Sequence, residues 1–411
     1  MTTTDLGDPA SVDVADPELH GADALHPVWR WLRRNDPVRW SVRADGTAYW
    51  SVTTHAEAVR VLRDSGTFSS ERGMRLGGDA RAAAAASRRM LIVTDPPRHA
   101  AIRRIIGSAF TARTVHRLEQ NMRTTVTAAL DRALGQDTCD FVDTAALLPV
   151  SVICDLLGVP REDWGFMRER TTVAFSAVDE HGAPTDAAVE AHAEILLYYA
   201  ELAERRRRSP GDDVVTALVR GEVDGRPLSD EEIFLNCDGL ISGGNETTRH
   251  AAVGGLLALA ARPEAWQALC DDPGLVPTAV DEILRWTSPG AHTLRTATRD
   301  TELGGRTVGA GESVVVWGPS ANRDEAVFDE PDAFVIDRKP NRHLTFGHGA
   351  HYCLGGALAV SELRVLFGEL RQRVAGVEVA GPVRRVRSNH IAGFEEAVVA
   401  LRPAAAPRTT P

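Results

Sequence analysis

The sequence predicts a mainly α-helical fold with small β-sheets, built as a single domain. Three observations carry that expectation. Helical patterning fills residues 114–135, 145–157, 161–208 and a long stretch from Pro227 towards Arg262. Strand patterning is confined to short segments, chiefly a hairpin over Val38–Thr53 and closing strands over 384–402. The 411 residues show no Pro/Ser-rich linker or shift of composition, so one large core is the simplest arrangement. The expected boundaries are a flexible arm over 1–20, the domain over 21–403 and a flexible tail over 404–411.

In chain order, Pro27–Arg34 reads as a short amphipathic helix with Trp29 and Leu32 on related faces. The hairpin turns at Ala44-Asp45-Gly46, with Val38 and Trp40 alternating on one arm and Trp50 and Val52 on the other. Glu71–Arg89 is rich in Gly, Ala and Arg without amphipathic period, and reads as a mobile, substrate-facing lid with a short helix. Thr94-Asp95-Pro96-Pro97 starts the next helix, since proline is tolerated where a helix begins. His99 and Arg103 are four apart and share a face, which beside Arg104 could simply be solvated. The 161–208 pattern breaks near His181-Gly182-Ala183-Pro184, and Arg205–Arg208 reads as a solvated helix end. Ser209-Pro210-Gly211 stops it, and another helix begins near Asp212.

The long helix after Pro227 opens on a capping box, Ser229 with Glu232. At ~1.5 Å per residue it spans roughly 50 Å. Its centre, Gly243-Gly244-Asn245-Glu246-Thr247-Thr248, departs from good helix composition, each glycine costing roughly 1 kcal/mol relative to alanine. Thr247 can bond back to the Gly243 carbonyl and loosen the ladder. Two readings stand: a close helix crossing that needs small residues, or a functional opening. For the second, a hydroxyl (Thr247) can hold a water and donate a hydrogen bond, and an adjacent carboxylate (Glu246) can relay protons from solvent by rotating. That pair suits dioxygen activation, which needs protons delivered while bulk water stays out. An isolated Glu is otherwise usually solvated.

Glu282 and Arg285 are three apart on a helix and can pair, by default as a surface salt bridge of little worth. Ser313–Trp317 reads as a buried strand. Phe346-Gly347-His348-Gly349-Ala350-His351-Tyr352-Cys353-Leu354-Gly355 sets one cysteine in a glycine-rich loop ahead of a helix at Gly356–Leu363. The helix start favours a thiolate there. With no second cysteine or histidine at zinc spacing it is a poor zinc site and a good single axial ligand for haem iron. The plainer alternative is a buried structural cysteine after a tight turn.

The formal net charge of -11 disfavours a nucleic-acid partner. Lys339 is the sole lysine, an arginine bias of GC-rich bacterial genomes. Five scattered cysteines (Cys139, Cys154, Cys237, Cys270, Cys353) form no C-x-x-C pair and fit a reducing cytoplasm. The polar N-terminus lacks the features of a signal peptide, and no apolar run approaches the ~20 residues that span a bilayer. A soluble, cytoplasmic monomer is expected.

The cysteine loop closely resembles the haem-binding loop of the cytochrome P450 family, and Gly243–Thr248 resembles its oxygen-activation motif. The resemblance spans nearly the whole chain, with motifs in the family's order. It implies the single-domain cytochrome P450 fold, with heme b (iron protoporphyrin IX) clamped between the long helix and the cysteine loop. It assigns Cys353 as iron ligand and Thr247 and Glu246 to oxygen activation. His99 and Arg103, in the stretch from Asp95 to Arg103, would hold a haem propionate, joined by Arg295 and His351. Glu282 and Arg285 would be the family's buried pair. Where the family has a Pro-Glu-Arg-Phe-like segment this chain reads Pro331-Asp332-Ala333-Phe334, which leaves Arg338 as the nearest third partner. The break near His181 falls where substrate-access helices join.

The activity implied is a bacterial haem-thiolate monooxygenase that uses O2 to hydroxylate or epoxidise an organic substrate in secondary metabolism. No flavin or iron–sulfur domain follows residue 402, so electrons are expected from a ferredoxin and ferredoxin reductase, guided by arginines such as Arg98 and Arg104. On a helix Gly239, Gly243 and Thr247 form one stripe, with Ser242 between them, and Gly290, Ala291 and Thr293 are small as well. With Ile391 and Phe394 on a closing turn, they would wall a pocket for a bulky molecule, free or bound to a carrier protein. The rivals are the same fold running oxidative coupling or peroxide-driven oxidation, and a non-catalytic recruitment domain. Glu246 with Thr247 speaks against the first; Cys353, Thr247, Glu282 and Arg285 speak against the second.

Overall fold

The structure is a computed structural model that describes residues 7–176 and 185–405. Its organising element is one helix, Asp230–Ala260. The Ser229 hydroxyl accepts from the Glu232 N–H while the Glu232 carboxylate accepts from the Ser229 N–H, completing the expected capping box. Asp230, Glu231 and Glu232 complement the helix dipole in the first turn. Towards its other end the helix is apolar all round, with Ala251, Ala252, Val253, Leu256 and Leu259 buried, so it must run through the core. Helices Phe141–Leu157, Asp186–Arg208, Val276–Thr287 and Gly356–Arg373 pack on it. The Val276–Thr287 helix approaches so closely that a Cβ on Gly255 would meet Ile283 Cγ2 at 2.7 Å.

The 161–208 stretch forms two helices, Trp164–Ser176 and Asp186–Arg208. The expected break at His181–Pro184 lies outside the described residues. Arg98–Gly107 follows the proline pair as expected, and the 71–89 stretch contains one short helix, Ala80–Ala86.

The strands form a second layer. A five-stranded sheet runs in the order Val38–Val42, Ala48–Val52, Ser313–Trp317, His292–Ala297, Phe68–Ser69. The hairpin register pairs Val38 with Val52 and Trp40 with Trp50, and the second arm pairs in parallel with Ser313–Trp317. Ser313–Trp317 reads as nearly continuous apolar sequence because both its faces are covered. Val315 and Trp317 join a cluster with Trp29, Leu32 and Tyr49, while Val314 and Val316 join one with Val61 and Phe68. Val374–Arg385, Phe394–Pro403 and Cys139–Asp140 make a three-stranded sheet at the far side.

The arm expected to be loose over 1–20 is ordered from Pro9 onward. Val14 and Ala15 are fully buried, and Asp16 caps a short helix, Pro17–Gly21. The carbonyls of this irregular stretch are satisfied from elsewhere: Arg39 donates to those of Pro9, Ala10 and Val12, and Asn389 to that of Ala15 at 2.9 Å. Among the described residues no helix is long and apolar enough to cross a membrane.

Candidate active site

Cys353 sits in a loop closed by its own N–H, which donates to the Phe346 carbonyl at 2.9 Å. Gly347 and Gly349 take left-handed φ values of 69° and 72°. A Cβ at Gly349 would meet the Leu62 carbonyl oxygen at 2.7 Å, so the loop lies directly on the His55–Arg63 helix. Three residues past the sulfur the Gly356–Arg373 helix begins. The other four cysteines are buried, whereas Cys353 has free surface. Yet burial by the surrounding protein pushes its thiol up, against the opposing pull of the Gly355 N–H and the Arg103 charge. Free surface and desolvation together place the sulfur in a recess rather than in bulk solvent. The expected thiolate-favouring helix start is therefore outweighed by burial; a coordinated metal ion would reverse that balance.

Four basic side chains gather beside this loop. The His99 and His351 rings lie 4.3 Å apart, and the charge of Arg103 reaches both of them and Cys353. Arg295 comes from the His292–Ala297 strand, 4% exposed, and its one side-chain hydrogen bond goes to the Leu294 carbonyl at 2.8 Å. Burial lowers His99 to about 4, helped by His351 and Arg103. Burial lowers His351 too, and brings Arg295 down to about 10, still cationic at neutral pH. Against them stands Asp95, 3.9 Å from His351 and already accepting from Ser69 and Ser70. Among the described residues no carboxylate pairs with Arg295.

A profile of the cytochrome P450 family matches residues 274–374, which include Glu282, Arg285 and Cys353. Putative cytochrome P450 126 of Mycobacterium tuberculosis is 41% identical over 405 residues, covering 96% of this chain and 98% of its own. The chain belongs to the cytochrome P450 family. It is also 38% identical over 396 residues to nocardicin C N-oxygenase of Nocardia uniformis subsp. tsuyamanensis, covering 94% of this chain and 96% of that one. The crystal structure of P450 OxyD, involved in the biosynthesis of vancomycin-type antibiotics, superposes with a TM-score of 0.87 at 38% identity, covering 96% of this chain and all of that one. The chain is thus a P450 monooxygenase with the P450 fold.

In this P450 the Glu282–Arg285 pair is fully buried and bidentate, at 2.7 and 2.8 Å. Glu282 also accepts from Val335 N–H at 2.8 Å, Arg338 at 3.0 Å and Asn341 at 3.2 Å. Arg338 is therefore the third partner, replacing the arginine missing from Pro331–Phe334. That segment contributes through its backbone instead, the Pro331 and Ala333 carbonyls each accepting from Arg285 at 2.9 Å.

On the long helix Thr247 donates to the Gly243 carbonyl at 3.1 Å, as its spacing predicts, but the helix stays unbroken through Gly243–Thr248. Gly243 is exposed, with nothing within 4 Å of where a Cβ would stand. Gly239 differs: a Cβ there would meet Met90 Cε at 2.4 Å, so this end of the stripe is covered. Ser242, Thr293 and Ile391 keep partial exposure, and Ile391 bridges to Gly290. Ala291 is fully buried, and Phe394 packs in the core against Gly254, 3.2 Å from a Cβ there; neither offers open surface.

Glu246 is neither solvated nor free to swing. It is buried, ion-paired with Arg249, and 3.2 Å from His250 Nε2. His250 Nδ1 accepts from the Phe394 N–H at 3.2 Å, so the ring proton sits on Nε2 and is donated to Glu246. Burial alone would raise the Glu246 pKa, but the His250 hydrogen bond and the Arg249 charge hold it below the ordinary range. The i+3 and i+4 spacing was readable in Glu246-x-x-Arg249-His250; the Phe394 contact, 144 residues on, was not. Arg98, expected on a docking face, is spent on Glu232 and the Arg88 carbonyl, while Arg104 is exposed. The donor set, one recessed thiol beside the buried Arg295, the half-buried Arg103 and two imidazoles with little counter-charge, fits the iron and the propionate carboxylates of a haem.

Proposed function

We propose that this P450 inserts one oxygen atom from O2 into a bulky organic molecule of bacterial secondary metabolism, using heme b ligated by Cys353. The observation that carries the reading is the gathering of His99, Arg103, Arg295 and His351 beside Cys353 with only Asp95 opposed. Carboxylates of the haem propionates would take these donors through charge-assisted hydrogen bonds. When bound, the haem iron supplies the activation of dioxygen. The residues of this chain do the rest. Thr247 holds a hydroxyl proton beside the open face of Gly243, where a substrate can approach the helix. Glu246 is the proton carrier, and its clasp by Arg249 and His250 must loosen before it can serve Thr247. The involvement of OxyD in antibiotic biosynthesis supports secondary metabolism as the setting. Electrons would come from a ferredoxin and its reductase, with Arg104 as a docking contact. The test is the reduced, carbon-monoxide-bound spectrum: the wild type gives the strongly red-shifted Soret band of thiolate ligation, and Cys353→Ser loses it. A red-shifted band in that variant would refute the assignment.

A further inference from the structure

Arg75 lies between the Phe68–Ser69 strand and the Ala80–Ala86 helix. Its neighbours are pinned to the His292–Ala297 strand on either side of Thr293. The Leu294 N–H donates to the Met74 carbonyl and the Leu76 N–H donates to His292 Nε2, both at 2.9 Å. Leu76 turns into the core with Leu294, Val315 and Trp317, whereas the Arg75 side chain is exposed. That exposure is not to bulk water alone: protein crowds the guanidinium enough for desolvation to lower its pKa, with no carboxylate acting against it. Among the described residues no acid pairs with it.

Its surroundings are basic as well. The charge of Arg75 reaches His292 and His390, whose rings are 5.1 Å apart. His292 has used both nitrogens, Nδ1 on the Asn389 carbonyl at 2.7 Å and Nε2 on Leu76. His390 has not: its Nδ1 is buried without a hydrogen-bond partner. Arg43, the other arginine whose charge reaches His292, is already paired with Asp45 at 2.9 Å. His390 adjoins Ile391, which bridges to Gly290, where nothing lies within 4 Å of a Cβ position. An unpaired guanidinium thus stands beside the strand that carries Thr293, and an unpartnered imidazole nitrogen beside Ile391, two residues that keep partial exposure.

We propose that Arg75, with His390 beside it, receives an oxyanion carried by the substrate, so that this P450 takes an acidic rather than a neutral molecule. The proposal rests on the haem-and-pocket reading above and adds the substrate's charge to it. The oxyanion has two possible sources, the carboxylate of a free acid or the phosphate of a phosphopantetheine arm on a carrier.

Imidazole-terminated alkanoic acids of graded chain length, and the matching alcohols, test it in the holoenzyme. The imidazole ligates the iron and shifts the Soret band, while the tail reports on Arg75. At one chain length or more the acid should bind roughly tenfold more tightly than the alcohol, as one charge-assisted contact provides. Arg75→Gln should abolish the preference while leaving the affinity for imidazole itself unchanged. Acid and alcohol binding alike at every length, or a preference that survives in Arg75→Gln, overturns the proposal. No Soret shift with imidazole overturns the haem reading, and the proposal with it. Competition by 4′-phosphopantetheine but not pantetheine, lost in Arg75→Gln, identifies the carrier arm as the source; absence of that competition together with the acid preference identifies the free carboxylate.

Discussion

Two of the buried charged groups in this molecule, one around Glu282 and one beside Cys353, are satisfied in opposite ways. Around Glu282, Arg285 spends its donors on the carboxylate and on the carbonyls of Asn322, Pro331 and Ala333, and Glu282 also accepts from Arg338 and Asn341. Beside Cys353, by contrast, Arg295 has one carbonyl to donate to and His99 and His351 are driven neutral. A network closed on itself has no capacity left for a ligand and holds the fold. Cations desolvated without counter-charge raise the energy of the bare protein, and an incoming anion recovers that cost. The inventory of unspent donors therefore separates scaffold from binding site among residues that look alike in composition.

Breaking the closed network should have the largest effect. Arg285→Ala leaves Glu282 buried and short of its main partner, a loss of about 3–5 kcal/mol. Soluble yield and helical circular dichroism should collapse even with haem supplied; a folded, haem-loaded variant would show that the network is dispensable. An intermediate effect, with a different signature, is expected from the open cluster. Arg295→Leu should leave the haem-free protein as stable as the wild type or more so in chemical denaturation. Haem loss to apomyoglobin should nonetheless quicken roughly tenfold, the worth of one charge-assisted contact. Loss of stability without faster haem release would place Arg295 with the scaffold.

The smallest effect is a pH slope. His99 is held at about 4, below its ordinary 6.5, so the unfolded chain binds a proton there that the folded chain refuses. Its contribution is present above pH 6.5 and is lost as pH falls towards 4, at no more than about 1.4 kcal/mol per pH unit. Denaturation of the haem-free protein at pH 7 and pH 5 should show the decline, and His99→Gln should shrink it. An unchanged slope in that variant would mean that His99 is not the buried neutral imidazole of the open cluster.

The two regions also differ in how far their residues announced them. Glu282 and Arg285 are three apart and Arg338 stood as the nearest arginine, so the closed network could be assembled from one helix and one substitution. Ser229–Glu232 set the start of the long helix, and alternation set the hairpin register. The rest depended on contacts far apart in the chain. Met90 covers Gly239 from another segment, although the two glycines of the stripe look equivalent in sequence. Ala291, just before the His292–Ala297 strand, and Phe394, at the start of the Phe394–Pro403 strand, are both consumed by packing. Residues 9–15 read as part of a loose arm, yet their carbonyls are satisfied by Arg39 and Asn389, which no local pattern announces. The Phe394 N–H fixes the tautomer of His250 from outside the helix that carries Glu246.

The clasp of the early residues has a consequence for how the chain is made. Ala15 is held by Asn389, Glu18 by Arg387 and Asp23 by Arg385. A ribosome adding about 5–20 residues per second needs on the order of tens of seconds to travel from the first member of each pair to the second. Throughout that interval Trp29 is without its final cover, and so is Trp317 from the moment it is made. The earliest part of the chain to be synthesised is thus among the last to find its place, and a nascent chain stalled before residue 385 would present that aromatic surface to chaperones.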